Sequence, residues 1–467
     1  MKDLRSCIDQ ISGLRYVVEE MHFNSSPGRM AMLATPWSSE VEPIEQRLGE
    51  VARYIDYLSN REQQKGMQEV AIHLCELMNV SGSIETIRQP QVICSDIDLF
   101  EIKRLALIEE KVRRLAEQYH LEILQCHTLT EVVDILDIDG ERLPSFYISD
   151  SYSAVLRSLR KQMERTSEET ERDELAVQCA IEEDRVRKRL TEALHPYADQ
   201  IEEALEALAQ IDKLHAIAQW ALAHGCCRPK PIRSGESTLT DLIHPEVAHH
   251  LAERQDKFQP VTISYTDQPT LITGANMAGK SVLLASIGLA QCLMQFGCYV
   301  TAQEVQLVPV DEVIFSIGDD QDIKSGLSSY GAEMLRLNRI IESVKGGKQV
   351  LALIDEPART TNPEEGHALV SALVQLFAQY AVRAIITTHY SGILGRCHRW
   401  RVRGFVEERL RKPLEINQLN RCIDYSLIED TQTDAPHEAL RIAEILGMDR
   451  ELLDLCENNL ATKNEDK

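Results

Sequence analysis

The sequence predicts an α + α/β protein: an all-helical first half, an α/β domain built on a parallel sheet, and a short helical tail. Three observations carry that expectation. Before about residue 230, apolar residues recur at three- and four-residue spacing, with Glu, Lys and Arg between them. From Val261 to Gly404, short apolar runs alternate with helical stretches, as in a parallel sheet covered by helices. From Pro436 to Leu460 the helical pattern returns, with a break at Gly447. The expected domains are 1–230, 231–430 and 431–467.

The first part is expected to hold helices over Glu40–Asn60, Asp98–His120, Ser151–His195 and Tyr197–His224. In the last of these, Ile201, Ala204, Leu205, Leu208, Ile211 and Leu214 form one stripe, which reads as core packing. Ser151–His195 reads as one continuous, acid-rich helix. Ser145-Phe-Tyr-Ile148 reads as a buried strand or turn. In the second part, Leu271–Thr273, Val350–Ile354 and Ala384–Thr387 read as strands buried on both faces.

Composition bounds the function. The chain has 467 residues, 43% of them hydrophobic, which suggests about three domains with ordinary cores. Its net charge of −24 gives a mean field that repels phosphate backbones, so nucleic acid is not favoured as a partner. Lys111–Arg114 and Arg185–Arg189 sit among Glu residues and read as solvated helix faces. The twelve cysteines include no C-x-x-C pair, and the neighbours Cys226 and Cys227 read as reduced thiols. No leader-like or membrane-length apolar run is present, so a cytoplasmic protein with no membrane partner is expected.

The most telling stretch is Gly274-Ala275-Asn276-Met277-Ala278-Gly279-Lys280-Ser281. It fits the phosphate-loop pattern G-x-x-x-x-G-K-[ST] at each fixed position. The apolar run Thr270–Thr273 precedes it, and a helix-compatible run from Val282 to Met294 follows. Backbone N–H groups in such a loop cradle phosphates, and the helix N-terminus adds its positive end. Lys280 would reach the outer phosphates, and the Ser281 hydroxyl would bind Mg²⁺.

A second signature lies downstream, where the strand Val350–Ile354 runs into Asp355-Glu356. Asp355 would hold Mg²⁺, directly or through water, and Glu356 would polarise the attacking water. Ile385–Thr388 is followed by His389, placed to sense a γ-phosphate. Between the two signatures, Ser325–Met334 offers hydroxyl groups before a helix, either as a cap alone or as an anion site. In the polar loop just before it, Gln321 or an adjacent Asp could contact Mg²⁺ or its water.

Taken in order, these motifs resemble the ATPase domain of the MutS family, a branch of the ABC-type P-loop ATPases. The resemblance rests on Ile272–Ser281, Ile317–Gln321, Ser328–Met334, Leu353–Glu356 and Thr387–Tyr390, with Asn276-Met277 as a family mark. It extends to Ser26–Leu48 and Ile211–Pro229, similar to the start and return of the MutS helical core and lever, and to Ala439–Gly447, similar to the helical dimerisation element after the ATPase. It implies an ATP hydrolase that works as a homodimer or heterodimer with composite sites. Ser328 would then act in trans on the γ-phosphate held by Lys280. It also places Phe258 over adenine and Val282 at the end of the loop, where the family commonly has Thr. The chain departs from the family after Glu356, where Gly-Arg-Gly-Thr becomes Ala358-Arg359-Thr360-Thr361.

The layout resembles a short form without mismatch-recognition and connector domains or a DNA clamp. Some short MutS-like proteins are linked with cobalamin-dependent lysine aminomutase as reactivases. Two roles are therefore expected as alternatives: remodelling or reactivating a protein partner, or DNA-binding work in mismatch repair or recombination.

Overall fold

The computed structural model describes residues 2–274, 279–316, 329–406, 421–430, 440, 443–444 and 447–465. Backbone proximity divides the chain into two units. One holds Met1–Glu20, Pro36–Gly49 and Ala221–Lys467; the other holds Met21–Thr35 and Glu50–Trp220. Residues 1–20 and 36–49 thus group with the α/β part in this division.

Among the described residues, the α/β unit contains ten strands: β1 (Lys230–Pro231), β2 (Ser237–Leu242), β3 (Val261–Tyr265), β4 (Thr270–Thr273), β5 (Glu304–Leu307), β6 (Glu312–Ser316), β7 (Val350–Ile354), β8 (Arg383–Thr387), β9 (His398–Phe405) and β10 (Ile423–Glu429). They form a four-stranded sheet ordered β1-β5-β2-β3 and a six-stranded sheet ordered β10-β9-β4-β8-β7-β6. In the larger sheet only β10 runs antiparallel to its neighbour. β4 and β7 are buried at every position, as expected for central strands covered on both faces.

Register decides where the ends fall. Ile272 lies opposite Thr387, and Ile354 lies opposite Ile386. The carboxyl ends of β4, β7 and β8 therefore finish together. The helix Lys280–Gln295 leaves the end of β4 and buries nearly all its side chains. The helix Pro363–Gln379 follows β7; Asn362 caps it by accepting the Glu364 N–H, and Pro363 occupies its first turn. Val350, Ile354, Val370, Val374, Phe377 and Ile386 pack as one core behind the strand ends.

The second unit is helical. It includes Ser26–Leu33, Arg61–Leu74, Asp96–Gln118, Ala154–Arg165, Glu169–Leu194 and most of Ala198–Ala223. The Ile201–Leu214 stripe is buried throughout, as its spacing indicated. Beside it, fully buried Asp212 accepts four hydrogen bonds: from the Asn24 N–H and side-chain amide at 2.9 Å each, the Ser25 N–H at 2.8 Å and the Ser25 hydroxyl at 2.6 Å.

Two local expectations are corrected. Ser151–His195 is not one helix but two, ending at Arg165 and restarting at Glu169. Thr166 turns extended (φ −83°, ψ 134°), and its hydroxyl bonds the Glu171 carboxylate, the local competition that hydroxyl residues offer a helix. The two helices are tied by Ser153 to Glu182 and Arg160 to Glu183, each at 2.8 Å. Ser145–Ile148 is neither a strand nor uniformly buried: Ile148 is buried, while Tyr147 is 64% exposed.

None of the twelve cysteines forms a disulfide. Burial pushes Cys227 up to about 11 and raises Cys226 as well. Among the described residues no helix is long and apolar enough to cross a membrane.

Candidate functional site

The shared end of β4, β7 and β8 collects the site. Gly279 caps the helix that leaves β4, at φ 69° in the left-handed region. Lys280 follows as the first helical residue, and its side chain is only 3% exposed. A buried ammonium needs partners. Its Nζ donates to the Gly274 carbonyl at 2.7 Å and lies 2.8 Å from Glu356 Oε1. The other Glu356 oxygen faces Arg359 Nη1 at 3.4 Å.

Asp355 holds two hydroxyl groups. Ser281 Oγ donates to its Oδ2 at 2.5 Å, and Thr387 Oγ1 donates to its Oδ1 at 2.5 Å. The Thr387 oxygen also accepts the Glu356 N–H at 2.9 Å. One hydroxyl thus fixes both acidic residues, and consecutive carboxylates diverge, one to Ser281 and one to Lys280. The Glu356 backbone is left-handed at φ 43°, a conformation that costs a non-glycine residue on the order of 1–3 kcal/mol.

His389 sits on the exposed rim after β8, its ring 4.3 Å from that of Tyr390. Loss of hydration pushes its pKa down, Glu356 pushes it up, and Lys280 and Arg359 push it down again. The net effect is downward.

The donor set fits a hard cation. Ser281 and Asp355 supply neighbouring oxygens and would hold Mg²⁺, leaving room for phosphate oxygens and water. Among the described residues, no group of three or more His, Cys, Asp or Glu is placed to hold a metal.

A cavity of about 300 Å³ opens next to Gly279 and Val282. Phe258, Leu283, Val402 and Tyr425 help to line it. Tyr425 comes so close that a Cβ on Gly279 would lie 3.1 Å from its ring. The Gln259 amide donates to Asp424 at 2.8 Å and accepts the Tyr425 N–H at 3.2 Å, tying the Phe258 segment to β10. Burial pushes Asp424 up, but the bonds from Gln259 and Ser426 and the nearby Arg403 outweigh it and hold the carboxyl down to about 2.

The structure therefore brings together Gly274, Lys280, Ser281, Asp355, Glu356 and His389, and sets Gly279, Val282 and Phe258 around the adjoining cavity. Ala275, Asn276, Met277, Ala278, Gln321 and Ser328 lie outside the described residues. Sequence reasoning missed the bridging hydroxyl of Thr387, although a Thr beside a strand-end His is a usable signal. It also missed Tyr425, which lies far down the chain in a strand with no motif of its own.

Fold and site define a parallel α/β domain whose polar side chains gather outside the carboxyl ends of its strands, where such sheets bind ligands. Residues 270–418 match the family model for MutS domain V. The chain is 32% identical over 198 residues to the DNA mismatch repair protein MutS of Brevibacillus brevis, covering 42% of this chain and 23% of that protein. It is 33% identical over 211 residues to the endonuclease MutS2 of Caldicellulosiruptor saccharolyticus, covering 44% and 26%. Over 223 residues it is 32% identical to the endonuclease MutS2 of Gemmatimonas aurantiaca, covering 46% and 26%. The similarity to MutS domain V thus falls within the α/β unit, over residues 270–418. The chain spans about a quarter of the length of these curated relatives.

Proposed function

We propose that this chain binds ATP with Mg²⁺ and hydrolyses it, using the cycle to switch conformation. The observation that carries the reading is the joint placement of Lys280, Ser281, Asp355 and Glu356 at one sheet end. Lys280 binds the outer phosphates, Ser281 and Asp355 hold the metal, and Glu356 orients and polarises the attacking water. His389 senses the γ-phosphate. Phe258 and Tyr425 enclose the adenine in the adjoining cavity, which has the aromatic and aliphatic lining that suits a nucleobase. Two copies complete each other's sites, Ser328 of one acting on the nucleotide held by the other. The chain works in the cytoplasm.

The acidity of the chain, −24 overall, favours a protein as the object of this switch. A cobalamin-dependent lysine aminomutase, reactivated by the cycle, is the proposed partner. A second reading, DNA-stimulated hydrolysis in repair or recombination, is favoured by the names of the relatives, one a DNA mismatch repair protein and two endonucleases.

One experiment separates the readings. Phosphate release by the purified protein is measured alone, with duplex, mismatched and branched DNA, and with inactivated aminomutase plus fresh cofactor. Recovery of the mutase with ATP, and no response to DNA, is the expected result. Stimulation by DNA that collapses with added salt would favour the second reading. No ATP binding and no turnover under any condition would sink both.

A further inference from the structure

The loop after β7 carries strain without glycine. Glu356 at φ 43° and Ala358 at φ 61° are both left-handed, and Ala358 is fully buried. Such a backbone persists only where its surroundings over-determine it. Two side chains do so at Ala358. Glu333, in the helix Ser329–Lys345, accepts the Ala358 N–H at 2.8 Å. The Tyr390 hydroxyl donates to the Ala358 carbonyl at 3.0 Å. Gly366 makes room for this, since a Cβ there would lie 2.1 Å from the Tyr390 oxygen.

We propose that Glu333 and Tyr390 are positioning residues of the hydrolytic site, gripping the two ends of residue 358 and so fixing where Glu356 points. The inference rests on the ATP-hydrolysis reading above. Glu356 is two residues before the gripped position, and Arg359, which faces its carboxylate at 3.4 Å, is one residue after it. Burial pushes the Glu333 carboxyl up, against the Ala358 N–H and Arg336, which pull it down. The grip itself needs only an acceptor oxygen, so glutamine in its place retains it. Neither side chain lines the cavity beside Gly279, so nucleotide affinity is separable from the grip. The Tyr390 ring also lies 4.3 Å from that of His389, tilted by 36°, so His389 adjoins the same clamp.

The test compares Glu333→Ala, Glu333→Gln, Tyr390→Phe and the double variant Glu333→Ala with Tyr390→Phe. Phosphate release gives kcat and KM, fluorescent-nucleotide titration gives affinity, and hydrogen exchange reads the Ala358 amide. Expected for Glu333→Ala and Tyr390→Phe is a kcat lowered roughly 10–100-fold with affinity unchanged. Glu333→Gln stays near wild type, and the double variant loses less than the two single losses combined. The Ala358 amide exchanges slowly in wild type and fast in Glu333→Ala. Wild-type kcat in both single variants, a loss of affinity with kcat kept, or fast exchange in wild type would overturn the proposal. If Glu333→Ala does not fold, Tyr390→Phe, which removes only one oxygen, decides the question. A wild-type protein that turns over no ATP sinks the hydrolysis reading instead, while the exchange of the Ala358 amide still tests the clamp.

Discussion

Asp212 in the helical unit and Asp355 in the α/β unit are used in opposite ways. Asp212 is sealed from solvent and saturated by four donors, all from Asn24 and Ser25. Nothing in that arrangement can be exchanged without leaving a buried polar group unpaired. Asp355 is only partly buried and holds two hydroxyls, one of which, Ser281, is also a metal-binding group in the proposed cycle. Its neighbour Glu356 holds Lys280 and faces Arg359, groups that a phosphate could take over. A carboxylate whose partners are fixed supports a fold, and one whose partners are replaceable supports chemistry.

Three measurements can break or sharpen this contrast. Glu356→Gln should have the largest effect, lowering ATP turnover by about 10²–10⁴-fold, as loss of a general base does. A variant that keeps its turnover would mean Glu356 is not the group that handles water.

Asp212→Ala should do the reverse. Four donors lose their acceptor, and stability should fall on the order of 3 kcal/mol, read as a lower urea midpoint with an unchanged slope. Turnover per folded molecule should stay the same. An unchanged midpoint would remove Asp212 from its role as a structural hub.

Tyr425→Ala should have the smallest effect, about a tenfold loss of ATP affinity, equivalent to one aromatic stacking partner. Titration with a fluorescent nucleotide reads it, and kcat at saturation should be retained. An affinity that does not change would place the base outside the cavity that Phe258 and Tyr425 line.

Much of the α/β unit was legible because its signals are local. Four buried residues in a row at Thr270–Thr273 and five at Val350–Ile354 can form little else than central strands. Glycine and lysine at fixed spacing mark the turn into the helix Lys280–Gln295. The helical unit was legible in its stripes but not at its joints. Periodicity carries across Thr166 and Ser167, so a break made by one hydroxyl bond left no gap in the pattern. The parts of the site that escaped notice are those that depend on distance in the chain. Tyr425 meets Gly279, and Glu333 meets Ala358, only after the sheet has ordered its strands. The same is true of the division into units, since 1–20 and 36–49 join the α/β part through contacts that no motif announces.

The 2.8 Å contact between Lys280 and Glu356 bears on how affinities at this site are to be read. The ammonium proposed to bind phosphate already has an anionic partner supplied by the chain itself. Any incoming nucleotide competes with that carboxylate, so the measured dissociation constant reports a displacement, not simple filling of an empty site. In the proposed cycle, removing the charge of Glu356 removes the competitor along with the group assigned to hydrolysis. Glu356→Gln should therefore hold ADP as well as ATP more tightly than wild type. A tight complex of ATP with that variant cannot by itself be credited to stalled hydrolysis; the affinity for ADP, which is never hydrolysed here, supplies the correction.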